Sequence, residues 1–468
     1  MCKFLCFIYE REDDFNLLKH LFMKSIFTLK SLILTICVIL SFNVQSQNTV
    51  NTIDIKKAGT LSSLIPSMQK NTITALTLTG EINGTDIRFI REMAGSTYNG
   101  GQTVGRLAVL DLSGVKIVRG GDTYYTNLIS LDNTIGRYMF RGCNVLTNVK
   151  MPNSVTIIEQ GAFEGCNLLR SVIIPNQVTS IGNEAFKNCI QISEITIPNS
   201  VLSIGEGAFY GCRSLAAFTI PNSVVNIGEM AFQGCRNLKQ FVVSDDHTAF
   251  SVIDGIIYSK DKSILLRCPE GKARINTFSD NLTHIGNEAF FGCYNLQSVT
   301  IPYGVTYLGG QSFENCIGLT YIKIPNSVTS IGCAFYGCKN LNEVHNSSAT
   351  PQSIDMFCFE FVDKKTCKIY VPTGSLEKYR NAPFWQDFDI ILEENVTTND
   401  YINNKNISIS NITNGICIKS NKLIHIVVFS ISGQKVFDSE LQGEVNISLS
   451  KGIYIVKAGD ENLKTVVR

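Results

Sequence analysis

The sequence predicts a mostly β protein with short helical turns: a solenoid of 23-residue coils followed by a small C-terminal β-sandwich. Three observations predict it. Pro152, Pro175, Pro198 and Pro221 are 23 residues apart, as are Pro302 and Pro325, and a near-constant phrase follows each, as in Pro198-Asn199-Ser200-Val201-Leu202-Ser203-Ile204-Gly205. A fixed period of this length marks a solenoid, in which each coil buries its apolar side only against its neighbours. Two residues after each coil's phenylalanine stands Gly142, Gly165, Asn188, Gly211, Gly234, Gly292, Asn315 or Gly337. Glycine and asparagine are the residues that enter the left-handed conformation at a helix C-terminus most easily. From Ile407 the text changes to short runs separated by turns such as Ser432-Gly433 and Lys451-Gly452, the pattern of a small sandwich.

The elements follow in chain order. Residues 1–22 are charged and irregular, and translation is expected to begin at Met23. Residues 23–46 read as a secretory signal: Met23, Lys24 and Lys30 make a basic start, residues 31–42 are an apolar stretch, and cleavage is expected between Ser46 and Gln47. That stretch is too short for a bilayer, which needs about 20 residues. No later segment is long enough, so the mature chain is expected to carry no transmembrane segment. Residues 47–134 are expected to form an N-terminal cap, with strands at 73–79 and 107–112 and a helix at 85–93.

The solenoid is expected over 135–392. In one coil, Leu169, Val172 and Ile174 face inward from a short strand that Pro175-Asn176 ends, because proline cannot donate to a ladder. Val178 and Ile181 face inward from a second extended piece, and Gly182 bends the chain into a helical turn carrying Ala185 and Phe186. Phe140, Phe163, Phe186, Phe209, Phe232, Phe290, Phe313 and Phe335 recur as a ladder, expected to be stacked core. An insert at 245–280 interrupts the period, with a hairpin at 252–266 expected to project from the coil. The repeat decays into a C-terminal cap from about 345, a polar linker spans 393–406, and 407–468 form the last domain.

Cys143, Cys166, Cys189, Cys212, Cys235, Cys293, Cys316 and Cys338 recur beside the phenylalanines. Side chains at one place in successive coils point the same way, which is poor geometry for bridging, so a buried stack of thiols is expected. The pattern leaves the states of Cys268, Cys333, Cys358, Cys367 and Cys417 open. Without residues 1–46 the chain has 36 Lys/Arg and 36 Asp/Glu. A neutral chain lacks the basic footprint that nucleic acid or anionic membranes select.

The text Ile197-Pro198-Asn199-Ser200-Val201 through Ile204-Gly205 to Ala208-Phe209-Tyr210-Gly211-Cys212, recurring in register from 135 to 341, closely resembles the BspA-type leucine-rich repeat of bacterial surface proteins. Residues 252–261 and Tyr370-Val371-Pro372-Thr373-Gly374-Ser375 look familial too. Phe429-Ser430-Ile431-Ser432-Gly433-Gln434-Lys435-Val436, with Gly452-Ile453-Tyr454-Ile455-Val456-Lys457, resembles the sorting domain of type IX secretion substrates. The resemblances imply a leucine-rich-repeat solenoid, export through the secretion machinery by way of the C-terminal domain, attachment at the outer-membrane surface, and adhesion. The implied partner is a protein or glycan ligand, with host extracellular matrix as one source.

No catalytic, metal or cofactor motif emerges. His247, His284, His345 and His425 each lie in a different element, and Asp245-Asp246 beside His247 reads as a solvated loop. The candidate binding face is the outward side of the first strand in each coil: Lys150, Ile173, Thr196, Thr219, Val242, Thr300, Tyr321 and Lys323. Tyr210, Phe291, Tyr294 and Tyr336 form an alternative aromatic face. The competing function classes are a structural or self-associating envelope component and, third, a secreted enzyme.

Overall fold

A computed structural model describes residues 51–394, 407–412, 415–430, 434–458 and 461–467. The expected signal, its cut between Ser46 and Gln47, and nearly all of the linker lie outside the described residues. A regular coil contributes two short strands and one helical turn. The first strands stack in parallel, Ala75–Ile82 beside Val109–Ile117, then Asn148–Lys150 and Ser171–Ile173. The second strands form another parallel sheet from Thr134–Ile135 to Asn226–Ile227, with residues 23 apart in register, such as Ile181 with Ile204. The repeat period therefore sets the register directly.

The helical turns are tied by a third ladder. Tyr138, Phe140 and Gly142 donate their N–H groups to the carbonyls of Gln160, Ala162 and Glu164 at 3.0, 2.7 and 2.8 Å, and the next three coils repeat the triplet. Inside it the phenylalanines stack: centroids of Phe140, Phe163, Phe186, Phe209 and Phe232 are 5.3–5.6 Å apart, and Phe290, Phe313, Phe335 and Phe359 continue at 4.6–5.5 Å. Phe359 lies in the segment that the decaying repeat hides. The ladder thiols are free and buried, and Cys166, Cys189, Cys212, Cys235, Cys316 and Cys338 each donate to the phenylalanine carbonyl of the preceding coil, as Cys189 to Phe163 at 3.1 Å and Cys212 to Phe186 at 3.2 Å. Cysteine here is a small apolar residue with a satisfied weak donor.

The first coil has no coil before it, and the N-terminal cap supplies the missing donors. The helix Gly84–Met93 starts with a capping box of Asn83 and Asp86 and carries fully buried Arg91. Tyr124 Oη donates to the Arg137 carbonyl at 2.9 Å, while Arg91 donates to Met139 at 2.9 Å and Arg141 at 3.1 Å. Two side chains thus satisfy the three carbonyls that a preceding coil would serve.

The insert does not project. Phe250–Ile253, Ile256–Ser259 and Ile264–Arg267 form an antiparallel meander whose last strand pairs in parallel with His284–Ile285. Ile256, Tyr258 and Leu265 are buried in one apolar core, and Ile257 in the other. Apolar residues on both faces of that strand leave no polar side to turn to solvent, so the meander becomes the wall between two half-arrays. Asp254 and Gly255 both have positive φ and form the turn between the first two strands of the meander.

The first-strand sheet is also interrupted at 194–196, where no strand forms. The inward series Val149, Val172 and Ile195 gives way in the next coil to Phe218, whose ring meets Phe209 and Phe232 edge-on at 5.1 and 4.5 Å. After the insert, Ser298–Thr300, Tyr321–Ile324, Glu343–Asn346, Lys368–Pro372 and Ile390–Glu394 form an unbroken sheet. Trp385, fully buried against Phe359 and Tyr379, closes it and donates Nε1–H to the Gln352 carbonyl at 2.8 Å.

The C-terminal unit is a curled antiparallel sheet. The two layers that the sequence suggests belong to one sheet, because Gly415–Ser430 is a single long strand. It pairs with Lys435–Ser448 on one side and with Ile407–Ile412 and Gly452–Ala458 on the other. Register shifts between Ser420 and Ile424 and between Val428 and Phe429 bend it. Ile416, Ile418, Ile426 and Val428 line its core.

The thiols give a direct test of this packing. Burial pushes Cys212 up to about 12, and alkylation needs the thiolate. Partly exposed Cys333 donates at 2.7 Å to the Asp355 carboxylate, which pushes its thiol up to about 11. Under native conditions at pH 8, Cys189 and Cys212 are expected to stay unlabelled in a mass-spectrometric alkylation series. Asp355→Asn is expected to speed Cys333 alkylation by roughly ten- to a hundredfold, as its thiolate fraction rises. Rapid labelling of Cys212 contradicts the buried ladder, and an unchanged Cys333 rate contradicts the Asp355 contact.

Candidate binding face

The outward strip lies in three pieces. Lys150 and Ile173 are partners on adjacent strands, as are Thr219 and Val242, and Thr300 and Lys323. Thr196 is exposed but outside any strand, and the insert separates Val242 from Thr300. The N-terminal pieces are chemically plain. Lys150 is engaged across the sheet by Asp111 at 2.8 Å, and Ile173 and Val242 are exposed aliphatics. An exposed ion pair of that kind is worth about 0–1 kcal/mol and supplies little to a ligand.

The C-terminal piece is different. The parallel register carries outward residues from Lys323 to His345 and on to Tyr370. Tyr321 lies with its ring 4.9 Å from His345, and His345 stacks on Tyr370 at 4.3 Å and 12°. The Glu394 carboxylate sits 2.7 Å from His345 Nδ1, and Glu343 lies 3.8 Å from Nε2. Lys368 is exposed on the strand that carries Tyr370. Three flat rings on hydrogen-bonded strands, framed by Lys368, Glu343 and Glu394, make a rigid amphipathic surface. Tyrosine adds contact area at small entropy cost and is enriched where binding energy concentrates. Tyr321 is legible in the repeat. His345 and Tyr370 are not, because they fall where the 23-residue text decays, and only the local alternations Glu343-Val344-His345 and Tyr370-Val371 mark their strands.

The alternative aromatic face is divided. Lys187 lies 5.6 Å from the Tyr210 ring, Arg236 4.7 Å from Tyr294, and Tyr336 meets Phe361 edge-on at 5.2 Å. Its members are engaged by local neighbours, and half-buried Phe291 adds no continuous platform. His247 is fully buried: its Nδ1 faces the N–H groups of Ala249 and Phe250 at 3.1 and 3.2 Å, and its Nε2 lies 3.2 Å from the Pro221 carbonyl. Backbone groups occupy both ring nitrogens, so His247 ties the insert to the preceding coil.

Comparison with known sequences finds the BspA type leucine rich repeat region in six copies, over residues 133–254, 272–390 and 319–432. No curated protein matches the chain. Among solved structures, a leucine rich cell surface protein from Faecalibacterium prausnitzii is 23% identical, covering 74% of this chain and 83% of that one with TM-score 0.43. A leucine-rich repeat protein from Bacteroides ovatus is 24% identical over 59% of this chain and 82% of its own, with TM-score 0.39. The leucine rich repeat protein of T. pallidum is 27% identical over 40% and 71%, with TM-score 0.27.

Proposed function

The chain belongs to the BspA-type leucine-rich-repeat family, and from that premise we propose that it is an exported, surface-attached, non-catalytic protein whose solenoid binds a protein or glycan on the outward side of its first-strand sheet. The observation that carries this reading is the row of Tyr321, His345 and Tyr370 rings in contact on register-locked strands. The signal-like residues 23–46 and the likeness of 407–468 to a type IX sorting domain support export and surface attachment. In this reading the ligand lies across the Ser298–Glu394 sheet, its apolar or ring faces on the tyrosines and its polar groups on Lys368, Glu343 and Glu394. The plainer strip of Lys150, Ile173, Thr219 and Val242 supplies weak additional contacts.

The test is a binding titration of the purified chain against immobilised matrix proteins and surface glycans at two salt concentrations. Saturable binding is expected, with Tyr370→Ala weakening it by about tenfold or more, as truncation of a central tyrosine does. Ile173→Ala is expected to change it by less than about threefold. A folded chain that binds nothing in the array, and instead forms concentration-dependent filaments or sheets, is an envelope scaffold.

A further inference from the structure

The break in the array holds an unfinished rung. In each of the four coils before it, three N–H groups of the helical turn donate to the next coil, ending with Gly207, Phe209 and Gly211 to Glu229, Ala231 and Gln233. The carbonyls of Ile135, Ile158, Ile181 and Ile204 each accept an N–H from the next coil at 2.8–2.9 Å. In the coil of Phe232 the following neighbour is the insert, and the pattern stops. Gly234 N–H finds a side chain in place of a coil, donating to Glu270 Oε1 at 2.7 Å. Among the described residues, the N–H groups of Met230 and Phe232 and the carbonyl of Ile227 find no partner of this kind. They face the opening between the half-arrays, where a chain that brings its own backbone groups can pair with them.

These three residues line one side of a half-open cavity of about 390 Å³, and Asn287 and Glu288 of the first coil after the insert, with Gln311 of the second, line the other. Phe250, Ile257 and Leu266 of the insert form its apolar floor. Exposed Glu229 and partly exposed Glu288 stand at its walls, whereas the Arg267 guanidinium is turned onto the Glu288 carbonyl at 2.9 Å. The edge therefore offers two donors at alternate residues and one acceptor, beside an apolar floor and two carboxylates. A lone carboxylate ligand can answer only the donors. An extended peptide carries carbonyls and N–H groups in alternation and answers both.

We propose that the break between the half-arrays is a second binding site, in which a short extended peptide segment with an apolar residue flanked by basic ones completes the rung left open by Ile227, Met230 and Phe232. The site stands apart from the Tyr321–Tyr370 face and does not depend on it.

The experiment uses the full chain and a fluorescently labelled, amidated tetrapeptide of alternating valine and lysine, read by anisotropy, with hydrogen exchange to locate it. Saturable binding and slowed exchange over 228–234 are expected. Replacing the probe's lysines by glutamates is expected to weaken binding. Glu229→Gln and Glu288→Gln are each expected to weaken the lysine probe by about 1.5- to 5-fold, the range of exposed ion pairs. Met230→Trp, which adds bulk at the wall, is expected to reduce binding at least about tenfold. Should that variant misfold, the glutamine pair still tests the charge preference. No binding, or binding indifferent to all three substitutions, overturns the proposal. A concentration-dependent dimer that Met230→Trp abolishes also overturns it, and assigns the edge to a second copy of the chain.

Discussion

Phe186→Ala is expected to destabilise the array by about 3–5 kcal/mol, the usual cost of emptying a buried aromatic site. Phe186 is fully buried, stacks between Phe163 and Phe209 at 5.4 Å on each side, and its carbonyl accepts the Cys212 thiol at 3.2 Å. In a solenoid each coil contacts only its neighbours, so the damage should stay local at first. Urea titration is expected to show the loss, and native-state hydrogen exchange to place it in the turns at 161–165, 184–188 and 207–211. Amides beyond the insert, in the other core, should keep their protection. Uniform loss of protection from 135 to 392, or a change below about 1 kcal/mol, contradicts the coil-by-coil account.

Arg91→Met is expected to cost a similar amount, about 3–5 kcal/mol, for a different reason. The substitution keeps much of the buried volume but removes the donors to Met139 and Arg141, along with those to Ser96 and Thr97. Each buried carbonyl left without a donor costs about 1–3 kcal/mol. Arg91→Lys is not expected to rescue, since one ammonium cannot reproduce the planar fork that reaches several carbonyls at once. Chemical denaturation measures the cost, and exchange of the amides at 134–146 should rise before that of later coils. A lysine variant as stable as the parent contradicts the fork geometry.

The difference between these two residues shows where the sequence is readable. Phe186 repeats every 23 residues beside Cys189 and Asn188, so its place in the core can be read from spacing alone. Arg91 occurs once, on an amphipathic helix in an irregular cap, and nothing in its neighbourhood announces that it serves carbonyls about 50 residues away. The insert carries the same lesson. Its turn at Asp254-Gly255 is local and legible, whereas the burial of Ile256, Ile257 and Tyr258 on both sides depends on two cores that meet there. Tyr321 belongs to the periodic text, but its neighbours His345 and Tyr370 reach it only through parallel register.

The coil can be read from the residues in order: its length, its inward residues, its left-handed Gly or Asn position, and the ladders of phenylalanines and thiols. Each of these follows from local conformation and from translation by one period. The three-dimensional fold governs what happens where translation fails. It set how Arg91 and Tyr124 close the first coil, how the insert divides the core, where the first-strand sheet breaks at 194–196, and which rings meet at Tyr370. Unpaired backbone groups at an interrupted ladder must find partners elsewhere in the chain or outside it, and that choice depends on distances between segments that no repeat encodes.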